Sequence, residues 1–195
     1  MESIGFKEWS IVCEALGHGL QSIILRKGGL AEGCEGFSFR HREFFLFPTH
    51  FHEQLEGVRK TDIGILKPDE GKIDIKYLVR VEETRVITSW SIANALEPLH
   101  VLRPNVVRER FEYDRAPGIH VAFVRVFRVD PVWTIADEKR YGGCRSWVKL
   151  GEPAAKLSFQ PVLSDLEHGS KGQAFGAAIH TSASTSSSDA ETGSV

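Results

Sequence analysis

A chain of 195 residues, 42% of them hydrophobic and 26% charged, is long enough to bury the core of one globular domain. Its 24 lysines and arginines nearly balance its 26 acidic residues, so charge alone selects no partner. We expect no membrane association, because no apolar run reaches the roughly 18 residues of a spanning helix. The first ten residues lack the basic-then-apolar order of a secretion signal, and the three cysteines lie far apart, so the expected location is the cytoplasm.

The N-terminal fifty residues are predicted to form three strands. Residues 8–16 alternate between apolar and polar side chains, and residues 21–29 follow after a glycine-containing turn. We expect these two segments to pair as a hairpin. Residues 37–47 lead into Phe44–Phe47, a run that is apolar on both faces and is therefore typical of a central strand. Pro48 is predicted to end that strand.

The most regular alternation in the sequence lies at residues 73–81. Apolar side chains occupy the odd positions, which predicts a strand with one buried face. Asp74, Lys76 and Arg80 then share the opposite, solvent-facing side. Residues 84–92 continue the same alternation.

The second half of the chain is predicted to mix helices with another central strand. Residues 92–102 predict a short, broken helix, and residues 105–113 predict a second helix with Asn105 as its N-cap. Residues 120–129 are apolar on both faces, which favours a central strand. Pro131 follows that strand.

The chain is predicted to fold as one α+β domain over residues 1–168, with a mostly antiparallel, β-rich core and a few short helices. Residues 144–150 complete that body. Beyond His168 the sequence is rich in Ser, Thr, Ala and Gly, with too little apolar surface to offset the entropy of ordering it. We therefore expect residues 169–195 to be a disordered tail.

Four short motifs carry a resemblance to a known family: KEW at 7–9, LRKGG at 25–29, FFLFPTHFHE at 44–53 and YGGCRSW at 141–147. Together they resemble the bacterial family known as domain of unknown function 1802, over roughly residues 5–165. The resemblance implies no activity and no catalytic residue. It implies a link to restriction–modification systems, and through them to nucleic acid.

A second resemblance concerns the fold. The valine-rich strand with a basic alternate face, and the segment VRVFRVDPVWTI at 124–135, look like a small pseudobarrel of the PUA type. This resemblance implies a curled, β-rich core. It also implies RNA or modified bases as ligands.

Three histidines surround the first predicted central strand: His41, His50 and His52. His50 and His52 share a face only if the strand continues beyond Pro48, because strand side chains repeat every second residue. Their spacing matches neither the H-E-x-x-H motif nor a Cys/His zinc finger. We interpret them as the polar rim of a buried strand, and leave a metal site, an acid–base role and ligand hydrogen bonding as alternatives.

The residues before and within the most regular strand contain the residue types of a metal-dependent nuclease. Enzymes of the PD-(D/E)-x-K type hold Mg²⁺ or Mn²⁺ with acidic side chains and use a lysine to position the attacking water. Glu70 with Lys72, and Asp74 with Lys76, fit the acid-x-Lys spacing, and Asp62 is the candidate upstream acid. Such pairs also arise by chance on solvated faces, so the nuclease is the alternative and not the leading hypothesis.

Basic residues near aromatic ones form the last candidate group. Arg26 and Lys27 precede a Gly-Gly turn, where side-chain charge and backbone N–H groups can meet a phosphate. The other basic residues of this group are interleaved with Phe111, Tyr113, Phe123 and Phe127, and they are Arg108, Arg110, Arg115, Arg125 and Arg128. This composition suits phosphate contact combined with base stacking.

These patterns favour a non-enzymatic module that recognises nucleic acid without a cofactor. The ligand-binding residues predicted for it are Arg26, Lys27, His41, His50, His52, Arg108, Arg125 and Arg128. The alternatives are the Mg²⁺- or Mn²⁺-dependent nuclease and an accessory protein–protein interaction domain. Whether the protein catalyses a reaction is left open by the sequence.

Overall fold

Seven strands form one mostly antiparallel sheet in a computed structural model that describes residues 3–27, 37–50, 55–59, 70–113 and 115–180. The strands are β1 (Ile4–Trp9), β2 (Ile23–Arg26), β3 (Glu43–Thr49), β4 (Lys72–Ile87), β5 (Ile119–Ala136), β6 (Trp147–Lys149) and β7 (Ser158–Pro161). The α-helices of the described residues are α1 (Ser10–Gly17), α2 (Trp90–Ala95), α3 (Pro104–Glu112) and α4 (Asp165–His180). This arrangement confirms the predicted α+β class.

The long strands β4 and β5 form the centre of the sheet. The order across it is β2-β5-β4-β3-β1-β6, and β7 pairs with β5 as well. β1 and β3 are parallel, with Gly5 opposite Phe45, whereas the other pairings of the described strands are antiparallel. A parallel pair needs a crossover connection, which here contains α1 and β2.

The sheet is curled, so that its two outermost strands approach each other. Arg26 ends β2, and its guanidinium donates hydrogen bonds to the hydroxyl of Ser146, directly before β6 (Nε–Oγ 3.2 Å, Nη2–Oγ 2.9 Å). Phe37 bridges the same gap, because its ring contacts His120 of β5 and Trp147 of β6. The curled core agrees with the predicted pseudobarrel-like architecture.

Apolar side chains cover both sides of the sheet. The larger cluster includes residues of all four α-helices named above, and Phe6 is fully buried within it. The centroid of the Phe6 ring lies 4.8–6.1 Å from those of four other rings, which belong to Phe37, Phe39, Phe44 and Trp147. The smaller cluster, on the other side, consists of Phe45, Phe47, Ile75, Leu78, Val129, Trp133, Tyr141, Val148 and Leu150.

The prediction of a strand over residues 8–16 is wrong for most of these residues, because β1 ends at Trp9 and α1 begins at Ser10. The apolar residues of this segment fit the period of a helix as well as that of a strand. Ile11 and Ala15, like Val12 and Leu16, are four residues apart, and all four are buried. A helix buries both pairs, whereas a half-buried strand would expose one of them.

The next two predicted strands exist, with corrections to pairing and length. β2 pairs with β5, with Ile23 opposite Phe123, so the predicted hairpin between the first two strands is wrong. Phe44–Phe47 is buried and central, between β1 and β4, as predicted. Pro48 does not end β3, which runs to Thr49. β4 pairs only with the first three residues of β3, so the missing N–H of the proline breaks no bond to β4.

β4 confirms the predicted strand at residues 73–81 but not its single buried face. Ile75 belongs to the smaller apolar cluster and Tyr77 to the larger one. The register with β5 shifts between them, from Ile75 opposite Trp133 to Tyr77 opposite Arg128. Such an irregularity changes which residues face each side of the sheet. The last residues of the predicted pattern form the start of α2 instead.

β5 and α3 confirm two predicted elements, but the residues at which they begin and end differ from those predicted. β5 continues through Pro131 to Ala136, since the proline lies where β4 and β5 shift register and the regular ladder is interrupted. α3 begins at Pro104 with Arg103 as its N-cap, so the predicted Asn105 cap is wrong. Proline suits the first helical position, where its missing N–H would have no partner inside the helix.

The disordered tail was predicted to begin at residue 169, but residues 169–180 belong to α4. Ser164 and Glu167 cap this helix reciprocally: Ser164 N donates to Glu167 Oε2 (2.9 Å), and Glu167 N donates to Ser164 Oγ (3.3 Å). Phe175 is buried, and its ring stacks on Phe123 of β5 with centroids 5.4 Å apart. A few well-spaced apolar residues dock the helix despite its polar composition.

The remaining part of the predicted tail, residues 181–195, lies outside the described residues. Among the described helices, none has the length and apolar character needed to cross a membrane. Two of the three cysteines are described, and both are free thiols: Cys13 is buried and Cys144 is exposed.

We expect His100, between α2 and α3, to make the fold sensitive to acid. Its surface is 2% exposed, and its Nδ1 has no hydrogen-bond partner among the described residues. Burial, together with the nearby Arg59 and Arg110, lowers the pKa of His100 to about 3. At a pH below about 6.5 the unfolded chain binds a proton at this histidine and the folded chain does not, so falling pH favours unfolding.

The expected loss is about 1.4 kcal/mol per pH unit from this one residue, from about pH 6 down to about pH 4. Urea unfolding at several pH values in this range measures it. His100→Leu should flatten the pH dependence of the unfolding free energy, and His18→Gln, at an exposed position, serves as the control. Equal slopes for the parent and His100→Leu would contradict the expectation.

Candidate functional site

A groove of about 910 Å³ lies at one end of the sheet, where β1, β3 and β5 end and β4 begins. These ends meet because β1 runs parallel to β3, and β4 runs antiparallel to both β3 and β5. We call this space the main groove. It is lined by Lys7–Trp9, Arg26, Phe47–His50, Glu70–Ile73, Asp137–Lys139 and Tyr141–Arg145.

A second concavity, which we call the side pocket, adjoins the main groove at Trp9 and Arg26. These two residues line both spaces. The side pocket has a volume of about 260 Å³, and its other lining residues are Lys27, Val106, Glu109, Arg110 and Tyr113. The two spaces together form one continuous concave surface that runs from the start of β4 to α3.

Charge is unevenly distributed along this surface. Three cations, Lys7, Arg26 and Arg145, and one buried acidic residue, Glu8, line the part of the main groove formed by β1, β2 and the loop before β6. The side pocket adds Lys27 and Arg110, with Glu109 as an acidic neighbour. The other end of the main groove is mixed, with three acidic and two basic residues: Glu70, Asp137, Glu138, Lys72 and Lys139. A concave surface with clustered cations attracts anionic ligands.

Lys7 is the most deeply buried lysine of the main groove, with 8% of its surface exposed. Its Nζ donates a hydrogen bond to the carbonyl of Gly143 (3.0 Å), and its backbone N–H donates to the carbonyl of Ser146 (2.8 Å). Burial lowers the pKa of the Lys7 amine, and the neighbouring cations Arg145 and Arg26 lower it further. Both effects disfavour the charged form, so this lysine loses its proton more readily than a lysine in water.

Arg26 is positioned by contacts on two sides of its guanidinium. The hydroxyl of Ser146, a fully buried residue, accepts its hydrogen bonds, and the ring of Phe6 lies 5.5 Å from its Cζ. The acceptor is a neutral hydroxyl, so this contact leaves the positive charge uncompensated. A guanidinium held in this way can bind a phosphate with two hydrogen bonds.

Trp9 is held at the junction of the main groove and the side pocket. The guanidinium of Arg110 lies 4.9 Å from the centre of its ring, and a Cβ at Gly57 would come within 2.7 Å of the ring. Arg110 Nη1 donates to the carbonyl of Leu25 (2.6 Å), and Nη2 lies 3.9 Å from Oε1 of Glu8, which is 2% exposed. Arg110 therefore balances a buried carboxylate and fixes the indole ring.

Two of the five predicted cations, Arg26 and Lys27, line this surface. The other three lie elsewhere: Arg108 on α3, where it pairs with Glu112; Arg125 on β5, where it pairs with Asp165; and Arg128 further along β5, where it is exposed. Only the pair from the end of β2 thus contributes to the continuous concave surface.

The predicted histidines are not brought together within the described residues. His50 lines the main groove, where partial burial and the charge of Lys76 lower the pKa of its imidazole. His41 instead packs against Trp147, with ring centroids 4.9 Å apart. His52 lies outside the described residues. The structure thus places one of the three predicted histidines in the groove.

The predicted nuclease residues are divided between two places. Glu70 and Lys72 line the main groove, whereas Lys76 pairs with a glutamate of α1 (2.9 Å) and Asp74 accepts a hydrogen bond from a threonine of β5 (2.6 Å). Asp62 lies outside the described residues. Within the described part of the chain, no group of three or more His, Cys, Asp or Glu residues could hold a metal ion. The Mg²⁺- or Mn²⁺-dependent nuclease stays a prediction.

Arg110 and Tyr113, which belong to the predicted pattern of interleaved arginines and aromatic rings, line the side pocket. Three further residues line the concave surface although no sequence pattern singled them out as ligand-binding residues: Lys7, Trp9 and Arg145. A partial signal existed. The motif KEW contains the first two, and the motif YGGCRSW contains the last. Nothing in the linear order indicates that these motifs meet, because the contact depends on the curl of the sheet.

Solved structures of the ASCH protein from Zymomonas mobilis are similar to this chain. A structure of one point mutant matches with a TM-score of 0.47 and 11% identity, over 78% of this chain and 92% of that chain. A structure of the protein without a stated mutation matches with a TM-score of 0.41 and 10% identity, over 88% of this chain and 94% of that chain. At TM-scores below 0.5, these similarities assign neither a ligand nor an activity.

Family membership comes from the sequence. No curated protein matches the chain. The family model described as Domain of unknown function (DUF1802) matches residues 5–174, which is most of the chain and reaches beyond the predicted limit of 165 into α4. The match includes β1 and the loop before β6, and hence the cationic part of the main groove. The chain therefore belongs to the DUF1802 family.

Proposed function

We propose that the protein binds nucleic acid that has unpaired bases, in the main groove and the side pocket. The observation that supports this proposal is the presence of cations and aromatic rings on one continuous concave surface. Lysine and arginine contact phosphates irrespective of base sequence, and aromatic side chains stack on bases.

The residues divide into two roles. Arg26, Lys27 and Arg145 are the proposed phosphate contacts, because they line the cationic part of the surface. Trp9 and Tyr113 are the proposed stacking platforms, and Tyr113 is 54% exposed at the side pocket. A duplex hides the faces of its bases inside the helix, so stacking on these rings requires unpaired bases.

Fluorescence anisotropy with labelled single-stranded RNA, single-stranded DNA and duplex DNA at low salt tests the proposal. We expect the single strands to bind more tightly than the duplex. Tyr113→Ala should weaken single-strand binding by roughly 5- to 150-fold, which corresponds to about 1–3 kcal/mol for one stacked base. The matched control is Phe159→Ala, which removes a similarly exposed ring from β7, away from the groove.

Two results would overturn the proposal. One is the absence of any single-strand binding at micromolar protein and low salt. The other is an equal loss of affinity in Tyr113→Ala and Phe159→Ala, which would show that the side pocket contributes nothing specific. Preferential binding of the duplex would move the proposal to a different class of nucleic acid.

A divalent-metal nuclease is the second candidate, supported by Glu70 and Lys72 at the mixed end of the main groove. The same oligonucleotides, incubated with Mg²⁺ or Mn²⁺, distinguish it from a binding module. Cleavage that is lost in Glu70→Gln and in Lys72→Ala would favour the nuclease. Binding without cleavage would favour the leading proposal. The absence of both binding and cleavage would favour an accessory protein-interaction domain.

We place the protein in the cytoplasm and, following its family resemblance, near restriction–modification. The cytoplasmic location fits the free thiols of Cys13 and Cys144, and cell fractionation tests it. A role in restriction–modification predicts that the affinity for DNA changes with base methylation. Competition between methylated and unmethylated single strands of the same sequence measures that change.

A further inference from the structure

We propose that Lys7 forms a covalent imine with nucleic acid that carries an aldehyde, such as the ring-opened sugar of an abasic site. This inference rests on the proposed binding of nucleic acid in the main groove. It adds a chemical reaction to that binding, at a residue that the binding proposal does not use for phosphate contact or stacking.

The position of Lys7 separates it from the other lysines of the surface. Lys72 and Lys139 also line the main groove but are exposed, and Lys27 in the side pocket is half-buried, whereas Lys7 is 8% exposed. The hydrogen-bond acceptor of its Nζ is the neutral carbonyl of Gly143, and no carboxylate of the described residues lies within 4 Å of that nitrogen. The amine is therefore desolvated without the ion pair that usually accompanies a buried lysine.

The surroundings of Lys7 are those that activate an amine as a nucleophile. Only the neutral amine has the free electron pair that attacks a carbonyl carbon, and burial or a neighbouring cation raises the neutral fraction. Burial and the charges of Arg145 and Arg26 lower the pKa of the Lys7 amine; Cys144 and Asp137 act in the opposite direction, and the net shift is downward. A lysine that only fixed the loop before β6 would be better held by a carboxylate.

The same two arginines explain why the aldehyde should belong to a nucleic acid. Arg26 and Arg145 line the main groove together with Lys7, so phosphates bound by them place the intervening sugar near the amine. An abasic nucleotide has no base to fill the groove, and its opened sugar presents an aldehyde at C1′. Holding the two reactants in place in this way replaces a bimolecular encounter with a local one.

The reaction balances without an oxidant or a reductant. The Lys7 nitrogen attacks C1′ and forms a carbinolamine, with a proton moving from nitrogen to the former carbonyl oxygen. Loss of water then gives the imine: one C=N bond replaces the C=O bond, and the oxygen leaves with the two amine protons. Water reverses the step, so the adduct needs reduction by added borohydride, which supplies hydride to the imine carbon, before it can be isolated.

Borohydride trapping with an abasic, end-labelled single-stranded oligonucleotide tests the proposal. We expect a covalent protein–DNA species on a denaturing gel, and peptide mapping of the wild-type adduct should place the modification on Lys7. Lys7→Arg, which keeps a positive charge, should reduce the adduct at least tenfold. The matched control is Lys156→Arg, an exposed lysine outside the main groove and the side pocket, which should leave the yield unchanged.

Each outcome decides something. An adduct on Lys7 that is lost in Lys7→Arg supports the proposal, and the mapping result stands even if that variant does not fold. An adduct spread over exposed lysines, or none at all, overturns it. Binding of the intact oligonucleotide, measured in parallel by anisotropy, separates the two proposals: binding without an adduct rejects only the imine, whereas no binding rejects both.

Discussion

Replacing Phe6 with alanine is expected to lower the free energy of unfolding by about 3–5 kcal/mol, the range of large-to-small substitutions that leave a cavity in a core. Phe6 is fully buried, and its ring contacts four other aromatic rings. The four rings come from β3, the segment before β3 and β6, whereas Phe6 lies in β1, so the cavity would open where the sheet curls.

Urea unfolding monitored by circular dichroism measures this loss. The control is Phe159→Ala on β7, where 43% of the side chain is exposed and less than about 1 kcal/mol should be lost. Phe6→Ala should also weaken nucleic-acid binding, because the ring of Phe6 packs against the guanidinium of Arg26. An unfolding free energy within about 1 kcal/mol of the parent would show that the curl of the sheet does not depend on this ring.

Reversing the charge at Lys27 and Arg145 together is expected to weaken single-strand binding by about 100-fold or more at low salt. Each substitution by glutamate removes one attraction to phosphate and adds one repulsion. Neither side chain is part of the apolar core, and Arg145 is exposed, so the fold should tolerate the change. Anisotropy titrations of the parent and the double variant at several salt concentrations measure the effect.

The dependence on salt makes this test specific. Losing two phosphate contacts should reduce the slope of log affinity against log salt by about 1.4, at about 0.7 per contact for a single strand. The control is Arg85→Glu with Lys156→Glu, which changes the net charge equally at exposed positions that do not line the groove. Equal losses in both double variants would mean that only net charge matters, and the groove would lose its role.

The strands that the sequence predicted correctly are those in which local periodicity and burial agree. Phe44–Phe47 and residues 120–129 are apolar on both faces, and they lie centrally in the sheet. The prediction for residues 8–16 failed because their apolar positions fit both the period of a strand and the period of a helix. The prediction of disorder for residues 169–180 failed because it relied on composition, whereas Phe175 and its neighbours dock α4 through a few contacts.

The candidate site was less accessible from the sequence than the fold. Arg26 and Lys27 were predicted as ligand-binding residues from a short basic motif, and both line the concave surface. Lys7 was not, because a lysine in a strand normally points to solvent. Its burial results from the loop before β6, whose Gly143 and Ser146 carbonyls accept its two hydrogen bonds. That loop is far from β1 in the sequence.

By itself, the sequence determined the α+β class, the family and most of the strands, because these depend on local periodicity and on short motifs that stay together in the chain. Only the tertiary structure decided which charged groups meet. The curl of the sheet brings the end of β2 to the loop before β6, and Lys76, at the register shift in β4, forms an ion pair with Glu14 of α1. Such contacts depend on strand order and register, which arise from the packing of the whole core and not from any local pattern.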